Sequence, residues 1–296
     1  MLSLIAAGGT GLDIGRILLE LGIILCAAKV TAELAERVGI PAVLGEILAG
    51  VVLGPSALGL IHRTDSLFLL GELGAILLLL QVGMEMDVAE LRTVGRAAIS
   101  VAIVGVALPM IFGTIGGIVL GEESRTAIFI GSTLTATSVG ITARVFGDLR
   151  ALATKEARIV LGAAVADDVL GLIILTVVTR VVEKGSIGIG TIASTTGLAL
   201  AFLGIAGTVG FTAIPRVLGI VMKHASSPAA VSVIALGIAL AFSSAADAAH
   251  LAPIIGAFVA GTALGKAPGH ERVARDMSAL AAVFVPIFFL QIGVET

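Results

Sequence analysis

The chain has no tryptophan, no tyrosine and a single cysteine among its 296 residues. Without Trp and Tyr, the aromatic belts that mark many membrane interfaces are missing, and Cys26 cannot form an intrachain disulfide. Charged residues make up 13% of the chain, compared with about 25% in a soluble domain. The net charge of −3 offers no basic surface for nucleic acid. What is abundant is apolar sequence, at 57%, and this predicts an all-α polytopic membrane protein.

Ten apolar segments follow one another, and all but the short ninth are near the ~20 residues that a membrane-spanning helix needs. They lie at 12–32, 40–60, 67–84, 97–120, 125–143, 157–179, 189–214, 228–246, 251–265 and 277–294. Of the 18 Lys and Arg residues, 13 fall in the odd-numbered loops between these segments or at the segment ends next to those loops. Because basic loops tend to stay in the cytoplasm, this bias predicts cytoplasmic odd loops and an N-terminus outside the cell.

The chain also contains an internal repeat. "PAVLGEILAGVVLG" at 41–54 resembles "PIIGAFVAGTALG" at 253–265, at an offset of 211, and "LQVGME" at 80–85 resembles "LQIGVE" at 290–295, at an offset of 210. An offset of seven helices, which is an odd number, places the two copies in opposite orientations. Inverted repeats are typical of secondary transporters, whose binding site lies near the membrane midplane where the copies meet.

The repeat predicts how the chain is organised. We place a first repeat at 12–180, a linker helix at 189–214 and a partial second repeat at 223–296. The first copy continues through three more segments after Glu85, whereas the second reaches only Thr296. By this symmetry we expect roughly 95 further residues and three further helices in the whole protein, which would make 13 helices in one transporter domain.

Two adjacent aspartates, Asp167 and Asp168, lie in the middle of the sixth segment, "VLGAAVADDVLGLIILTVV". An aspartate at mid-bilayer costs about 2.5–3.5 kcal/mol even on the permissive insertion scale. A protonated carboxyl in a helix-packing hydrogen bond is one interpretation, but acids inside membrane segments more often mark ion or proton pathways. A carboxyl there can exchange its proton for a hard cation, and oxygen ligands suit Na⁺ or Li⁺.

The fifth segment, "GSTLTATSVGITARVF", is crowded with hydroxyl side chains: Ser132, Thr133, Thr135, Thr137, Ser138 and Thr142. Hydroxyls offer the backbone alternative hydrogen bonds, and Gly140 permits unusual backbone conformations. Two structures are compatible with this pattern. One is a helix broken near Thr137–Gly140, with groups that line a cavity, and the other is an unbroken helix with its hydroxyls bonded back to the backbone.

Polar residues elsewhere give weaker indications. Glu46 lies in the second segment, but its counterpart in the second repeat is Ala257, so it is outside the repeated pattern. Asp247, His250 and His270 fall at segment ends. We expect these three to be solvated loop residues.

"TATSVGITARVF" followed by "AAVADDVLGLIIL" resembles the monovalent cation:proton antiporter-2 family, particularly its bacterial NapA-type Na⁺/H⁺ antiporters. "GEILAGVVLGPSALGLI" is also typical of that family, and the resemblance covers essentially the whole chain. It implies an inverted-repeat fold with discontinuous crossing helices, a homodimer in the inner (cytoplasmic) membrane, and no cofactor. The helices at 12–84 and 228–294 would form the dimerisation scaffold, and 97–180 would form half of the mobile core.

The resemblance also implies roles for individual residues. Asp168 would be the main carrier, binding a proton or, transiently, Na⁺, and Asp167 would be a second acid involved in coupling. Thr137 and Ser138 would lie at the helix crossing. The pair of acids resembles the electrogenic members of the family, which exchange more protons than cations. The family's core lysine, on the eleventh helix, is not among these residues, and Lys266 is no substitute because it lies at a segment end.

We therefore expect a secondary active transporter, not an enzyme, that exchanges Na⁺ or Li⁺ for H⁺ by alternating access. The alternative transporter is a K⁺/H⁺ exchanger or Kef-type potassium efflux system. An intramembrane aspartyl protease is suggested only by Gly147–Asp148 in a charged loop, and its usual Tyr-Asp partner is impossible without tyrosine. A bile-acid-type symporter would not centre its site on adjacent aspartates.

Overall fold

A computed structural model describes residues 14–86, 88–184, 189–225, 227 and 229–296. Within these ranges the chain forms helices and no strand. The helices are α1 (Ile14–Arg37), α2 (Ala42–Leu53), α3 (Asp65–Glu85), α4 (Val88–Val119), α5 (Ser124–Thr133), α6 (Val139–Asp148), α7 (Lys155–Lys184), α8 (Ile189–His224), α9 (Ala230–Ala248), α10 (Pro253–Leu264) and α11 (His270–Val294). Each predicted segment corresponds to one helix, except the fifth, which corresponds to α5 and α6.

Several helices are longer than the apolar segments that predicted them. The helix predicted from 97 begins at Val88, the one predicted from 277 begins at His270, and the one predicted to end at 214 continues to His224. Hydropathy detects only the apolar part of a helix, so polar turns that extend beyond it are missed. In contrast, α2 ends at Leu53 instead of 60, since Gly54 precedes Pro55 and is extended.

Five described helical stretches are long and apolar enough to span a membrane: Asp65–Glu85, Val94–Val119, Gly197–His224, Ala230–Ala248 and His270–Val294. The apolar helices α2 and α10 have only 12 residues each. At 1.5 Å per residue, such a helix is about 18 Å long, compared with a hydrocarbon core of about 30 Å. These two helices occupy equivalent positions in the two repeats, so the copies share this shortened helix.

The chain divides into two compact units, and the first combines the chain up to Gly71 with Pro286–Thr296. In this unit α1 packs against α2. In the same unit, the Arg63 guanidinium lies 3.4 Å from the Glu295 carboxylate and 5.2 Å from the centre of the Phe68 ring. These contacts tie the loop before α3 to the end of α11.

The second unit comprises Glu72–Val285 and holds the aspartate helix. In it α4 packs against α5 and α7, both α5 and α6 contact α7, and α8, α9 and α10 pack against one another. Gly113 and Gly117 of α4 lie against Gly131 and Ala127 of α5. Small residues at such positions let helix backbones approach closely. This packing holds the interrupted segment beside α7.

The two repeats make equivalent backbone contacts. In the first unit Gly50 of α2 lies against Gly293 of α11, and in the second unit Gly261 of α10 lies against Gly83 of α3. A methyl group on Gly50 or Gly261 would overlap a backbone carbonyl oxygen of the facing helix. The glycines of these two contacts are related by the offsets found in the sequence, 211 and 210.

A second pair of contacts follows the same offset. Gly45 of α2 lies against the backbone of Thr31 in α1, and Gly256 of α10 lies against the backbone of Phe242 in α9. Both partners are again 211 residues apart. The duplication inferred from short sequence matches is therefore also present as matching helix contacts.

Candidate functional site

The segment crowded with hydroxyls is interrupted between Thr133, the last residue of α5, and Val139, the first residue of α6. Before the break, Ser132 Oγ donates to Phe129 O at 2.7 Å, and Thr135 Oγ1 donates to Ser132 O at 2.7 Å. These hydroxyls bind carbonyls that a continuous helix would use. Of the two structures compatible with the sequence, the broken helix is present, and it begins three residues before the expected Thr137–Gly140.

Ser138 begins the second half of the segment. It is the N-cap of α6, and its Oγ accepts the Ile141 N–H at 3.3 Å. The break thus lies between the C-terminal end of α5 and the N-terminal end of α6. The first of these ends carries a partial negative charge and the second a partial positive charge. In transporters, such half-helix ends and freed backbone groups hold ions at membrane depth.

Asp167 of α7 lies next to this break. Its side chain is buried, with 7% exposed, and Thr137 is placed to hydrogen-bond to its carboxylate through both the hydroxyl and the backbone N–H. Thr137 Oγ1 also lies 3.4 Å from Thr135 O, a long contact that leaves the hydroxyl available to the carboxylate. Within the described part of the chain, Asp167 Oδ1 has no hydrogen-bond partner. A buried polar oxygen without a partner is costly, so it is a candidate cation ligand.

Asp168 belongs to α7 as well, but its side chain lies outside the described residues. Adjacent residues on a helix point about 100° apart. The two side chains of the pair therefore point in different directions from the axis of α7. The predicted role of Asp168 as the main carrier stays a prediction.

A cavity of about 450 Å³ connects these groups, and its walls come from three parts of the second unit. The lining residues are Phe129, Ser132, Thr133, Thr135, Ala136, Thr137, Asp167, Gly171, His250, Leu251 and Ala252. The polar lining residues include four with hydroxyl groups and one carboxylate, which offer the oxygen ligands that hard cations prefer. Of the four residues predicted for the site, Thr137 and Asp167 line this cavity, while the Ser138 hydroxyl caps α6.

The junction between α9 and α10 was not expected at the site. His250 is exposed, as predicted for a loop residue, yet it lines the same cavity as Asp167. Asp148, the acid on which the protease alternative depends, is placed differently. It lies at the end of α6, 3.1 Å from the Arg144 Nε, and does not line the cavity.

Residues 22–296 match the family model described as sodium/hydrogen exchanger, transmembrane. The chain belongs to this family. This membership confirms the family-level expectation drawn from "TATSVGITARVF" and "AAVADDVLGLIIL". As a sodium/hydrogen exchanger family member with several apolar helices, it is a multi-pass membrane protein.

Similar exchanger-family proteins cover most of the chain. The Na(+)/H(+)-K(+) antiporter GerN of Bacillus cereus is 34% identical over 277 residues, which are 93% of this chain and 70% of GerN. The high-affinity Na(+)/H(+) antiporter NhaS3 of Synechocystis is 33% identical over 324 residues, covering 96% of this chain and 69% of NhaS3. The solved structure of the sodium proton antiporter MjNhaP1 from Methanocaldococcus jannaschii at pH 8 matches with a TM-score of 0.65 at 20% identity, over 94% of this chain and 71% of that one. This likeness confirms the all-α inverted-repeat fold class.

Proposed function

We propose that the protein exchanges Na⁺ or Li⁺ for H⁺ across the membrane by alternating access, with the Asp167–Asp168 pair as the shared ion and proton site. The observation that carries this proposal is the buried Asp167 carboxylate at the broken helix, whose Oδ1 has no partner among the described residues, beside a cavity with four Ser and Thr residues in its lining. The similarity to GerN, named as a Na(+)/H(+)-K(+) antiporter, and to NhaS3, named as a Na(+)/H(+) antiporter, supports it.

The chemistry follows from what the residues around the cavity can bind. A carboxylate supplies one negative oxygen ligand, and the Thr and Ser hydroxyls and freed carbonyls of the break supply neutral ones. Binding of a proton by the same carboxylate removes its charge and therefore its attraction for the cation. Occupation by one ion thus excludes the other, which is the requirement for exchange.

The presence of two acids allows each exchange cycle to move net charge across the membrane. If Asp168 alternately holds a proton and Na⁺, a second proton on Asp167 makes the loaded states differ by a net charge. One elementary charge moved across the membrane is worth about 2.3 kcal/mol per 100 mV. We therefore propose electrogenic exchange, with more protons than cations moved per cycle.

The experiment is exchange in everted vesicles, followed with a pH-sensitive dye after addition of Na⁺, for the full-length protein. Asp168→Asn should abolish Na⁺-driven proton movement, since an amide neither titrates nor carries charge. Asp167→Asn should retain exchange but change its pH profile or its dependence on membrane potential. Glu122→Gln, at an exposed loop carboxylate, is the control and should behave like the wild type. Near-normal exchange by Asp168→Asn would refute its assignment as carrier.

K⁺ is the second candidate cation. The name of GerN includes K(+), and hydroxyl and carboxylate ligands do not by themselves distinguish one alkali cation from another. The same vesicles, challenged with K⁺ in place of Na⁺, separate the two proposals. Proton movement with K⁺ alone would make the protein a K⁺/H⁺ exchanger.

We further propose that the protein is a homodimer of the cytoplasmic membrane with its N-terminus outside. The scaffold helices at 12–84 and 228–294 would form the dimer contact, and 97–180 would move. In support, α4, α5 and α7 pack against one another, as expected for helices that move as a group.

A further inference from the structure

His250, the second residue after α9, has a left-handed backbone conformation, with φ of 61°. Residues other than glycine rarely adopt this conformation. The His250 N–H donates to Asp247 O at 2.8 Å, and the Leu251 N–H donates to Ala246 O at 2.9 Å. These two hydrogen bonds close a helix in the Schellman motif, in which the left-handed residue is usually glycine. A histidine at this position is strained, because its Cβ crowds the backbone there.

The first repeat builds the same turn with glycine. The position 211 residues before His250 is Gly39, which has φ of 80°. Its N–H donates to Glu36 O at 3.0 Å, and the Ile40 N–H donates to Ala35 O at 3.1 Å. Every donor and acceptor is offset by 211 from its equivalent in the second repeat. The turn itself therefore does not require an imidazole, and such backbone strain is a reason to ask which part of the molecule the side chain serves.

His250 is among the residues that line the cavity, as is Asp167. Among the described residues that line this cavity, Asp167 is the other titratable one, since α5 and the break contribute hydroxyls and apolar groups, and Leu251 and Ala252 are apolar. Asp247 lies one turn earlier on α9, and Glu72 of α3 is within electrostatic range of Asp247. His250 is thus placed where its charge would act on an ion that enters the cavity.

We propose that His250 controls the entry of cations into the cavity: the neutral imidazole admits Na⁺, and the protonated imidazolium repels it. This inference rests on the proposed Na⁺/H⁺ exchange and adds a residue of the ion path outside the aspartate pair. Imidazole side chains change charge between pH 5 and 8. A fall in pH then weakens cation entry at His250, in addition to the competition between proton and cation at the aspartates.

The test is the apparent KM for Na⁺ between pH 6 and 8.5, measured in vesicles containing the full-length protein or His250→Asn. Asparagine is polar, does not titrate and tolerates the left-handed conformation. At pH 6 the variant should show a KM about threefold to tenfold lower than the wild type, the effect expected for removing one nearby positive charge. At pH 8.5 the two values should agree, and the maximal rate should be similar throughout.

Two glycine variants separate the backbone from the imidazole. His250→Gly should raise the melting temperature by about 2–4 °C, since it removes the strain, and should flatten the pH dependence of KM as His250→Asn does. Arg150 provides the matched control, because it has φ of 54° in the same hydrogen-bonded turn after α6 and does not line the cavity. Arg150→Gly should raise the melting temperature equally and leave the KM profile unchanged.

The outcomes distinguish this inference from the proposed function. If the wild type moves no protons in response to Na⁺, Li⁺ or K⁺, the proposed function fails, and this inference fails with it. If the wild type exchanges cations but the KM of His250→Asn follows that of the wild type at every pH, this inference alone is overturned. A lower maximal rate with an unchanged KM profile would also overturn it, because that result indicates a structural role.

Discussion

Thr137 is the residue that connects the broken segment to the aspartate helix. Its backbone N–H and its hydroxyl are both placed to interact with the Asp167 carboxylate, and it lines the cavity while remaining exposed. A backbone donor fixes the position of the carboxylate, whereas the hydroxyl can rotate to donate to it or to accept a cation through its lone pairs. The hydroxyl therefore can be tested separately from the backbone.

We expect Thr137→Val to raise the apparent KM for Na⁺ by about fivefold, since one net hydrogen bond or neutral ligand is worth about 1 kcal/mol. The change retains the shape of the side chain and the backbone N–H, so the maximal rate should be within about twofold of the wild type. The measurement is a Na⁺ titration of exchange at fixed alkaline pH. Thr208→Val is the control, because the exposed Thr208 hydroxyl of α8 bonds only to its own helix. An unchanged KM would show that the Thr137 hydroxyl does not contact the ion.

At the scale of helices, the main feature is a pair of half-helices of 10 residues each, α5 and α6. Each is about 15 Å long, so their adjoining ends lie inside a bilayer whose core is about 30 Å thick. The end of α6 at the break is stabilised by the Ser138 cap. This cap therefore helps to maintain the interruption that forms the cavity.

Removal of the cap should destabilise the protein measurably. Ser138→Ala should cost about 0.5–2 kcal/mol of the free energy of unfolding, because one N–H at the start of α6 loses its acceptor. Ser138→Asp should restore most of this loss, since aspartate is an equally good N-cap. Thermal unfolding in detergent measures both. The control is Ser100→Ala on α4, where the hydroxyl donates to Arg96 O within the helix, and an equal loss there would exclude capping as the cause.

At the scale of the whole molecule, the orientation depends on the distribution of basic residues. The loop at 144–158 carries four of the 13 basic residues assigned to the cytoplasmic side. Arg150, in this loop, is exposed. The odd offset makes the two repeats inverted whichever side this loop faces, and the loop decides which side is the cytoplasm.

Cysteine labelling tests this orientation. In a Cys26→Ala background, a thiol reagent that cannot cross membranes should label Arg150→Cys in everted vesicles and not in intact cells, because the positive-inside rule places its loop in the cytoplasm. Glu122→Cys, in the loop between α4 and α5, should show the opposite pattern. Labelling of position 150 in intact cells would reverse the proposed topology.

The sequence predicted the helices and their order because apolar runs report membrane segments directly, whereas helix ends such as Val88 and His224 lie in polar sequence that hydropathy does not register. It predicted Asp167 because a charge among apolar residues is conspicuous. The break remained undecided, since Ser and Thr hydroxyls fit both broken and continuous helices. His250 was missed because one loop histidine carries no signal by itself. Its significance becomes visible only when its backbone is compared with that of Gly39.

The aromatic wall of the cavity has a practical consequence. Phe129 lines the cavity together with Asp167 and is 43% exposed, and these 296 residues contain no tryptophan or tyrosine. The chain therefore has almost no intrinsic fluorescence at the wavelengths that excite indole. A tryptophan placed at position 129 would fluoresce without background from this chain, and its emission wavelength would report the hydration of the cavity during the proposed alternating-access cycle.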